Sequence, residues 1–360
     1  GYYRYDEGYT PEFEGVERFR GPIVHPQHWT DDIEYADKRV VVIGSGATAV
    51  TLVPALAQKA EHVVMLQRSP SYIASIPQRS FVDRFLKWAL GERRSFRLIR
   101  AKYLFLTTMF YKFARRYPDA ARRLYMSGAK KELTPGFDVD THFNPRYDPW
   151  DQRLCMVPDG DLFQAINAGK ASVVTDRIRS FTEHGLALES GDELEADLID
   201  TSTGLNLQIF GGAEVELDGE KVVSGERFGY KGAMLSGVPN FAFTLGYVNA
   251  SWTLRAEVTS RYVCSVLRTM DEHGYKQCCP VADPANVELD TPIDLSSGYF
   301  QRSIEILPKR GKQVPWRAEQ NYKIDKRTTL ESPIEDGVLV FSNGKPKQRT
   351  AVALEEAVAP

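Results

Sequence analysis

Lys38-Arg39-Val40-Val41-Val42-Ile43-Gly44-Ser45-Gly46-Ala47-Thr48-Ala49 joins a run of β-branched residues to a glycine-rich turn. The run from Lys38 to Ile43 predicts a parallel strand that is buried on both faces. Thr51 to Gln58 predicts a helix in which Pro54 is tolerated only near the first turn, and Val63 to Leu66 predicts a second strand. A strand, a turn, a helix and a second strand within about 30 residues predict a dinucleotide-binding unit.

The turn has the pattern G-x-G-x-x-A. Gly44 permits the tight turn, Gly46 lets the backbone approach a pyrophosphate, and Ala49 lets the helix pack close to the strand. The helix N-terminus then presents backbone N–H groups and a positive dipole end to the phosphates. The alternative is a tight turn without a ligand. The predicted cofactor-binding residues here are Gly44, Ser45, Gly46, Ala47, Thr48 and Ala49.

The second predicted strand ends in Gln67-Arg68-Ser69-Pro70. An NAD site usually has Asp or Glu at this place, where the carboxylate accepts a hydrogen bond from the ribose 2′-OH. Arg68 instead offers a planar cation to a 2′-phosphate, and Ser69 stands beside it. We therefore predict a preference for NADPH over NADH, with an ordinary surface arginine as the alternative.

Composition narrows the class of protein. At 360 residues the chain is long enough for two domains, and 42% hydrophobic residues indicate a folded core. A net charge of −3 indicates no bulk attraction to nucleic acid. The cysteines and histidines have no metal-ligand spacing, and no apolar run approaches the length of a membrane span. We expect a cytoplasmic enzyme without a metal.

A motif upstream of the turn connects these features to a family. Phe19, Gly21, His25 and Trp29 form F-x-G-x-x-x-H-x-x-x-W. This pattern, followed by a glycine turn, resembles the fingerprint of the flavin-dependent Baeyer–Villiger monooxygenases, and the wider chain resembles their mycobacterial thioamide-activating branch. Further segments that carry the resemblance are Val41–Val50, Leu66–Pro70, Pro149–Cys155 and Asn249–Leu254.

The resemblance implies both the cofactors and the reaction. NADPH would reduce FAD, O₂ would add to the reduced flavin as a peroxide, and one oxygen atom would enter next to a ketone carbonyl or join a soft sulfur. The implied substrates are small hydrophobic ketones, sulfides or thioamides. Two alternatives remain: an N-hydroxylating or general flavin monooxygenase, and a truncated NADPH-binding module without flavin activity.

The resemblance also implies roles for single residues. Arg153 stands where the family carries the arginine that faces the flavin, and is the predicted catalytic cation. Gln152 replaces the family's Lys, which contacts the 2′-phosphate. Asn249 and Ser251 lie where the family passes the flavin ring and the nicotinamide, or they are helix-capping residues. His25 is implied to link the two domains and not to transfer a proton.

The predicted fold is α/β, with two Rossmann-like dinucleotide-binding domains and a helical insertion. Residues 1–35 are interpreted as a linker and a remnant of the FAD domain, residues 36–195 as the NADPH domain, residues 196–345 as the C-terminal part of the FAD domain, and residues 346–360 as a tail. The N-terminal FAD-binding βαβ unit of the family is expected to be missing from the chain.

The segments after the NADPH turn predict further elements. Asp161 is expected to cap a helix from Leu162 to Ala168. Strands are expected at 172–175, within 178–200 and at 241–245, and a helix at 251–271. Asp197 to Gly204 resembles the strand and A-T-G turn that leads back to the flavin domain, but Asp200 falls where an apolar residue is expected.

The helical insertion, residues 79–132, is basic. It contains fifteen Lys or Arg against four Asp or Glu, interleaved with aromatic residues. One interpretation is a helical lid whose basic face is solvated. The other is an element that contacts a membrane surface or admits hydrophobic substrates, which would make the enzyme peripheral to the inner membrane surface.

Overall fold

The computed structural model describes residues 2–152, 154–290, 297–317 and 319–343. The strands are β1 (Tyr3–Gly8), β2 (Ile23–Val24), β3 (Arg39–Ile43), β4 (His62–Gln67), β5 (Ile73–Ile76), β6 (Cys155–Pro158), β7 (Ala171–Thr175), β8 (Ile178–Phe181), β9 (Gly185–Leu188), β10 (Glu193–Glu195), β11 (Leu198–Asp200), β12 (Leu205–Leu207), β13 (Glu216–Leu217), β14 (Glu220–Lys221), β15 (Gly229–Tyr230), β16 (Met234–Leu235), β17 (Gln277–Pro280) and β18 (Leu339–Ser342). The helices are α1 (Ala47–Leu56), α2 (Phe81–Arg116), α3 (Pro118–Glu132), α4 (Val139–Phe143), α5 (Asp161–Asn167), α6 (Trp252–His273), α7 (Gly298–Gln301) and α8 (Tyr322–Leu330).

The chain forms two compact units. The first comprises residues 1–213 and 293–304, and the second comprises residues 214–292 and 305–360. The first unit contains a five-stranded sheet with the order β2-β11-β3-β4-β7, in which every neighbouring pair is parallel. The predicted strand–turn–helix–strand unit is therefore confirmed. The domain limits inferred from the resemblance remain predictions.

The parallel sheet is covered on both faces, as its continuous apolar strands require. Val40 and Val42 belong to one buried cluster, together with residues of α1 and α5. Val41 and Ile43 belong to a second cluster, which includes Phe181 of the antiparallel sheet β10-β9-β8. The alternation of side chains along β3 thus distributes its residues between a helical layer and a small sheet.

An ion pair aligns β3 with β11 at the start of both strands. The backbone N–H of Arg39 donates to Asp197 Oδ2 at 2.8 Å, and Arg39 Nη2 donates to Asp197 Oδ1 at 2.9 Å. The guanidinium of Arg39 lowers the pKa of the Asp197 carboxyl. These contacts lie at the opposite end of β3 from the glycine turn.

Several predicted elements need correction. α1 begins at Ala47 and ends at Leu56, so Pro54 lies in its last turn and not in its first. The ring nitrogen of Pro54 has no N–H to donate to the preceding turn, and α1 ends two residues further on. α5 begins at Asp161 itself, and Gly160 precedes it with φ 68°. Residues 1–35 contain two strands, since β1 pairs with β12 and β2 joins the parallel sheet.

The predicted strand from Phe241 to Leu245 is wrong. Within the described residues this segment forms one isolated bridge, between Met234 and Ala242. An apolar segment becomes a strand only where a neighbouring segment pairs with several of its residues. Here the described pairing is a single bridge. The predicted strands at 172–175 and within 178–200 are confirmed as β7, β8, β9, β10 and β11, and the helix predicted at 251–271 as α6.

The basic insertion forms α2 and α3. α2 is interrupted at Gly91, whose φ of 72° and ψ of 165° are not helical. Lys102 pairs with Asp83 across this interruption, and Tyr103 donates to the same carboxylate at 2.6 Å. Of the 36 residues of α2, Ser95 and Ala114 are buried. None of the helices in the described ranges is both long and apolar enough to cross a bilayer.

The second unit has its own core around α6. Arg255 forms a buried ion pair with Asp325, and Tyr247 donates to the same carboxylate. β17 pairs with β18, and the adjacent Cys278 and Cys279 are buried as free thiols. Burial raises the pKa of both thiols, so they are poor nucleophiles.

Candidate functional site

The glycine turn lies where the order of the parallel strands reverses. After β3 the chain adds β4 and β7 on one side of it, and β11 later pairs on the other side. Ligands of open α/β sheets bind at such a switch point, outside the carboxyl ends of the strands. Gly44 follows β3 at this edge and donates its N–H to the carbonyl of Leu66 at 2.8 Å.

Gly44 is required by a close approach of the backbone. Its φ is +139°, in a region that L residues rarely adopt. A Cβ built there lies within 3.0 Å of the Ser202 carbonyl oxygen and 3.1 Å from the carbonyl carbon. Only glycine therefore lets the end of β3 pass the residues that follow β11.

Gly46 has the opposite surroundings. It is the N-cap residue of α1, with φ −80° and ψ −175°, and as a glycine it has no side chain to cap the helix. A Cβ built on Gly46 meets nothing within 4 Å. A pyrophosphate beside Gly46, at the N–H groups of the first turn of α1, stays a prediction.

The turn is joined to the residues that follow β4. Ser45 Oγ lies 3.0 Å from Ser71 Oγ and donates to the carbonyl of Ser69 at 3.3 Å. Cys155 on β6 donates its thiol to the carbonyl of Ser45 at 3.6 Å. Sequence reasoning missed Ser71 and Cys155, because neither belongs to the glycine pattern.

Arg68 follows β4 directly, next to the residues that contact this turn. It is exposed, and among the described residues it forms no hydrogen bond or ion pair. The preceding Gln67 is buried, and its Nε2 donates to the carbonyl of His142 at 2.7 Å and to Thr175 Oγ1 at 2.8 Å. Gln67 therefore has a structural role, and its neighbour Arg68 keeps its guanidinium available for a ligand.

Asp200 is the unusual group of this edge. Its side chain is fully buried at the end of β11, and its Oδ1 accepts a hydrogen bond from Ser202 Oγ at 2.6 Å. Oδ2 is buried without a hydrogen-bond partner among the described residues. Burial raises the pKa of Asp200 to about 7, and the hydrogen bonds from Ser202 lower it by less than burial raises it. The sequence identified Asp200 as anomalous but gave no sign of its isolation.

The four residues of the family motif lie in the first unit, where they attach the N-terminal stretch to the rest of that unit. Phe19 is buried against Phe181, and a Cβ on Gly21 would lie 2.6 Å from the carbonyl oxygen of Asp197. His25 Nε2 lies 3.1 Å from the carbonyl oxygen of Gly204, just beyond Ser202. Trp29 packs edge-on against Tyr35. Burial lowers the pKa of His25, so the neutral ring is favoured at pH 7.

The remaining predicted residues are Asn249 and Ser251, which belong to the second unit, and Gln152 and Arg153. Asn249 Nδ2 donates to the carbonyl of Gln320 at 3.0 Å within the second unit. Ser251 is the N-cap residue of α6, but its Oγ pairs with Thr253 Oγ1 at 2.8 Å and makes no cap hydrogen bond. Gln152 is half-buried, and Arg153 lies outside the described residues.

The parallel sheet and its glycine turn define a dinucleotide-binding protein of the α/β class. The flavin-binding monooxygenase-like family model matches residues 1–100. Over 354 residues the chain is 48% identical to the FAD-containing monooxygenase EthA of Mycolicibacterium smegmatis, covering 98% of this chain and 71% of that protein. It is 44% identical over 356 residues to the probable FAD-binding monooxygenase AlmA of an Acinetobacter species, covering 96% and 71%. The chain belongs to the family of FAD-containing flavin monooxygenases.

Solved structures share the fold. A steroid monooxygenase bound to NADP superposes with a TM-score of 0.67 at 17% identity, covering 94% of this chain and 73% of that one. The monooxygenase OTEMO, in complex with FAD and NADP, superposes with a TM-score of 0.62 at 15% identity, covering 92% and 73%. The α/β fold predicted from the sequence is therefore confirmed.

Proposed function

We propose that this chain is an NADPH-dependent Baeyer–Villiger-type monooxygenase, which inserts one oxygen atom of O₂ next to a ketone carbonyl or onto a soft sulfur. The observation that carries the proposal is the glycine turn at the switch point between β3 and β11. Its open N-cap fits the pyrophosphate of a nicotinamide nucleotide, and the family supplies the monooxygenase chemistry.

The residues of the turn bind and orient the nucleotide. The first N–H groups of α1 and the positive end of its dipole hold the pyrophosphate beside Gly46. Arg68 donates to the 2′-phosphate as a planar cation, with Ser69 next to it. Gln152 has no charge to add to that contact, which leaves Arg68 as the principal cation for the phosphate.

FAD supplies the oxygen-activating chemistry when it is bound. Among the described residues the glycine pattern of residues 44–49 occurs once, and it is proposed for the nicotinamide nucleotide. Arg153 is proposed as the cation that stabilises negative charge developing during oxygen transfer. Asn249 and Ser251 are proposed to contact the cofactors. The hydrogen bonds of Asn249 to Gln320 and of Ser251 to Thr253 would hold their side chains in place.

The proposed substrates are small hydrophobic ketones, sulfides and thioamides, with O₂ as co-substrate. The purified chain should be incubated with FAD and NADPH, and its visible spectrum and products recorded. Flavin absorbance, with ester formed from a ketone or sulfoxide from a sulfide, supports the proposal. Hydroxylamine formed from an amine, without ester or sulfoxide, would favour an N-hydroxylating monooxygenase. Colourless protein that binds NADPH alone would favour a nucleotide-binding module.

We also propose a cytoplasmic enzyme that attaches weakly to the inner membrane surface through α2. Trp88 is 82% exposed and Phe81 is 74% exposed, while α2 has ten basic and two acidic residues. Aromatic side chains at a basic surface favour the interface of an anionic bilayer.

Co-sedimentation with anionic vesicles tests the attachment. Binding at low salt that disappears at high salt supports it. Trp88→Ser should weaken the binding, whereas Leu267→Ser, at an exposed apolar position of α6, should not. Equal sedimentation with and without vesicles at low salt would leave α2 as a solvated lid.

A further inference from the structure

Asp200 is a buried carboxyl group with one unpaired oxygen among the described residues. It is a carboxyl group with no exposed surface, at the carboxyl end of a parallel strand where a ligand is expected. One oxygen is occupied by Ser202, and the other has no partner in the described part of the chain. A buried carboxylate with an unsatisfied oxygen is costly, so its neutral form is favoured.

The surroundings of Asp200 contain little charge to oppose this preference. β3, the glycine turn and α1 carry no titratable side chain between residues 40 and 56, and Asp200 is the sole titratable group between 198 and 210. On the other flank, β2 continues into His25 and His28. Arg302 lies over the ring of Tyr9, with a guanidinium nitrogen 3.8 Å from a Cβ built on Gly204. None of these groups forms a hydrogen bond or ion pair with Asp200.

Asp200 is also close to the proposed phosphate site along the sheet. It pairs in register with Val42, two residues before Gly44. Ser202, which donates to its carboxyl, presents the carbonyl that a Cβ on Gly44 would strike. A pyrophosphate beside the turn therefore brings negative charge to the same edge as the carboxyl, and two like charges in a poorly solvated edge repel each other.

We propose that Asp200 couples nicotinamide-nucleotide binding to pH, because the nucleotide binds with Asp200 protonated and its ionisation opposes binding. The proposal rests on the assignment of the glycine turn to NADP(H). Burial raises the pKa of Asp200 to about 7 in the free protein, and a bound pyrophosphate raises it further. By linkage, the dissociation constant then increases as the pH rises above about 7, and binding takes up a proton.

Calorimetric titration of NADP⁺ and NAD⁺ from pH 6 to pH 8.5 tests the proposal. In the wild-type protein we expect the dissociation constant of each nucleotide to increase about five- to tenfold over this range. NAD⁺ is included because it lacks the 2′-phosphate, whose own titration would strengthen binding with rising pH. Asp200→Asn, which is uncharged at every pH, should change less than about twofold. Asp192→Asn removes an exposed charge on the β9–β10 turn and should keep the wild-type slope.

A second measurement needs no variant. Repeating the titration at pH 7.5 in buffers of different ionisation enthalpy gives the number of protons taken up on binding, which should be a substantial fraction of one. No proton uptake by the wild-type protein, or the same slope in Asp200→Asn, would overturn the proposal. Absence of nucleotide binding at every pH would instead overturn the assignment of the turn, so the two failures are distinguishable.

Discussion

Replacement of each glycine of the turn by alanine separates its role in folding from its role in binding. Gly44 has φ +139° and no room for a Cβ against the Ser202 carbonyl, whereas Gly46 has φ −80° and open space. In Gly44→Ala the backbone conformation costs about 1–3 kcal/mol. Relief of the overlap by movement of β11 costs roughly 1–3 kcal/mol more. We expect a loss of roughly 2–6 kcal/mol, a large part of the ~5–15 kcal/mol that stabilises a typical domain.

Gly46→Ala is the matched control. Its extended backbone accepts alanine, so the free energy of unfolding should change by less than about 1 kcal/mol. Its affinity for NADP⁺ should fall at least about tenfold, because a methyl group would occupy the space beside the pyrophosphate. Urea denaturation and calorimetric titration measure the two effects. Equal stability of Gly44→Ala and Gly46→Ala, or wild-type affinity of Gly46→Ala for NADP⁺, would contradict these two roles.

Three further changes test single groups. Arg68→Ala should weaken NADPH binding roughly ten- to a hundredfold and leave NADH almost unchanged, since it removes a charge-assisted contact of about 1.5–3 kcal/mol; equal weakening of both nucleotides would argue against a 2′-phosphate contact. Arg153→Ala, in the FAD-loaded enzyme, should lower oxygenated product about 10²- to 10³-fold while NADPH still reduces the flavin, as stopped-flow spectra would record; ester formation near the wild-type rate would contradict the role. Asp200→Asn should be more stable than the wild type above pH 7. The pKa of Asp200 is about 7 in the folded protein, against an ordinary value of 3.8. The neutral carboxyl therefore stabilises the fold at low pH, and this stabilisation is lost as the pH rises from 3.8 to 7. The free energy of unfolding that is lost approaches about 4 kcal/mol. If the urea midpoint changes equally between pH 5 and pH 8 in the wild type and the variant, the pKa of Asp200 is not raised.

The strand–turn–helix–strand unit could be predicted because its information is local. The β-branched run of β3 fits a buried parallel strand, and the glycine spacing fits one kind of turn. The motif from Phe19 to Trp29 could be recognised for the same reason, since four residue types at fixed spacing lie in one short stretch. The contact that makes Gly44 obligatory could not be predicted, because Ser202 is distant in sequence and meets the turn only after the sheet has formed.

Tertiary pairing, and not the local sequence pattern, decides whether two short segments become strands. The apolar segment Phe241–Leu245 has the composition of a strand, but a single bridge to Met234 is all the pairing that the structure describes for it. β2 could not be detected, because a strand of two residues between Pro22 and Pro26 is too short to show a periodicity. The glycine turn could be predicted as a cofactor site from its local pattern. The burial of Asp200 without a charged partner could not, because it depends on β2, β3 and β11, which are distant in sequence.

The short strand β2 has a consequence for solubility. It lies at the end of the parallel sheet, where an unpaired edge would be a template for another chain. Pro22 and Pro26 bracket its two residues, and the carbonyls of Pro22 and Val24 are engaged by Ile199 and Thr201. Prolines cannot donate to an incoming strand, so this edge has fewer donors than a strand without prolines. We therefore expect the stretch that carries the family motif to disfavour edge-to-edge pairing with another chain.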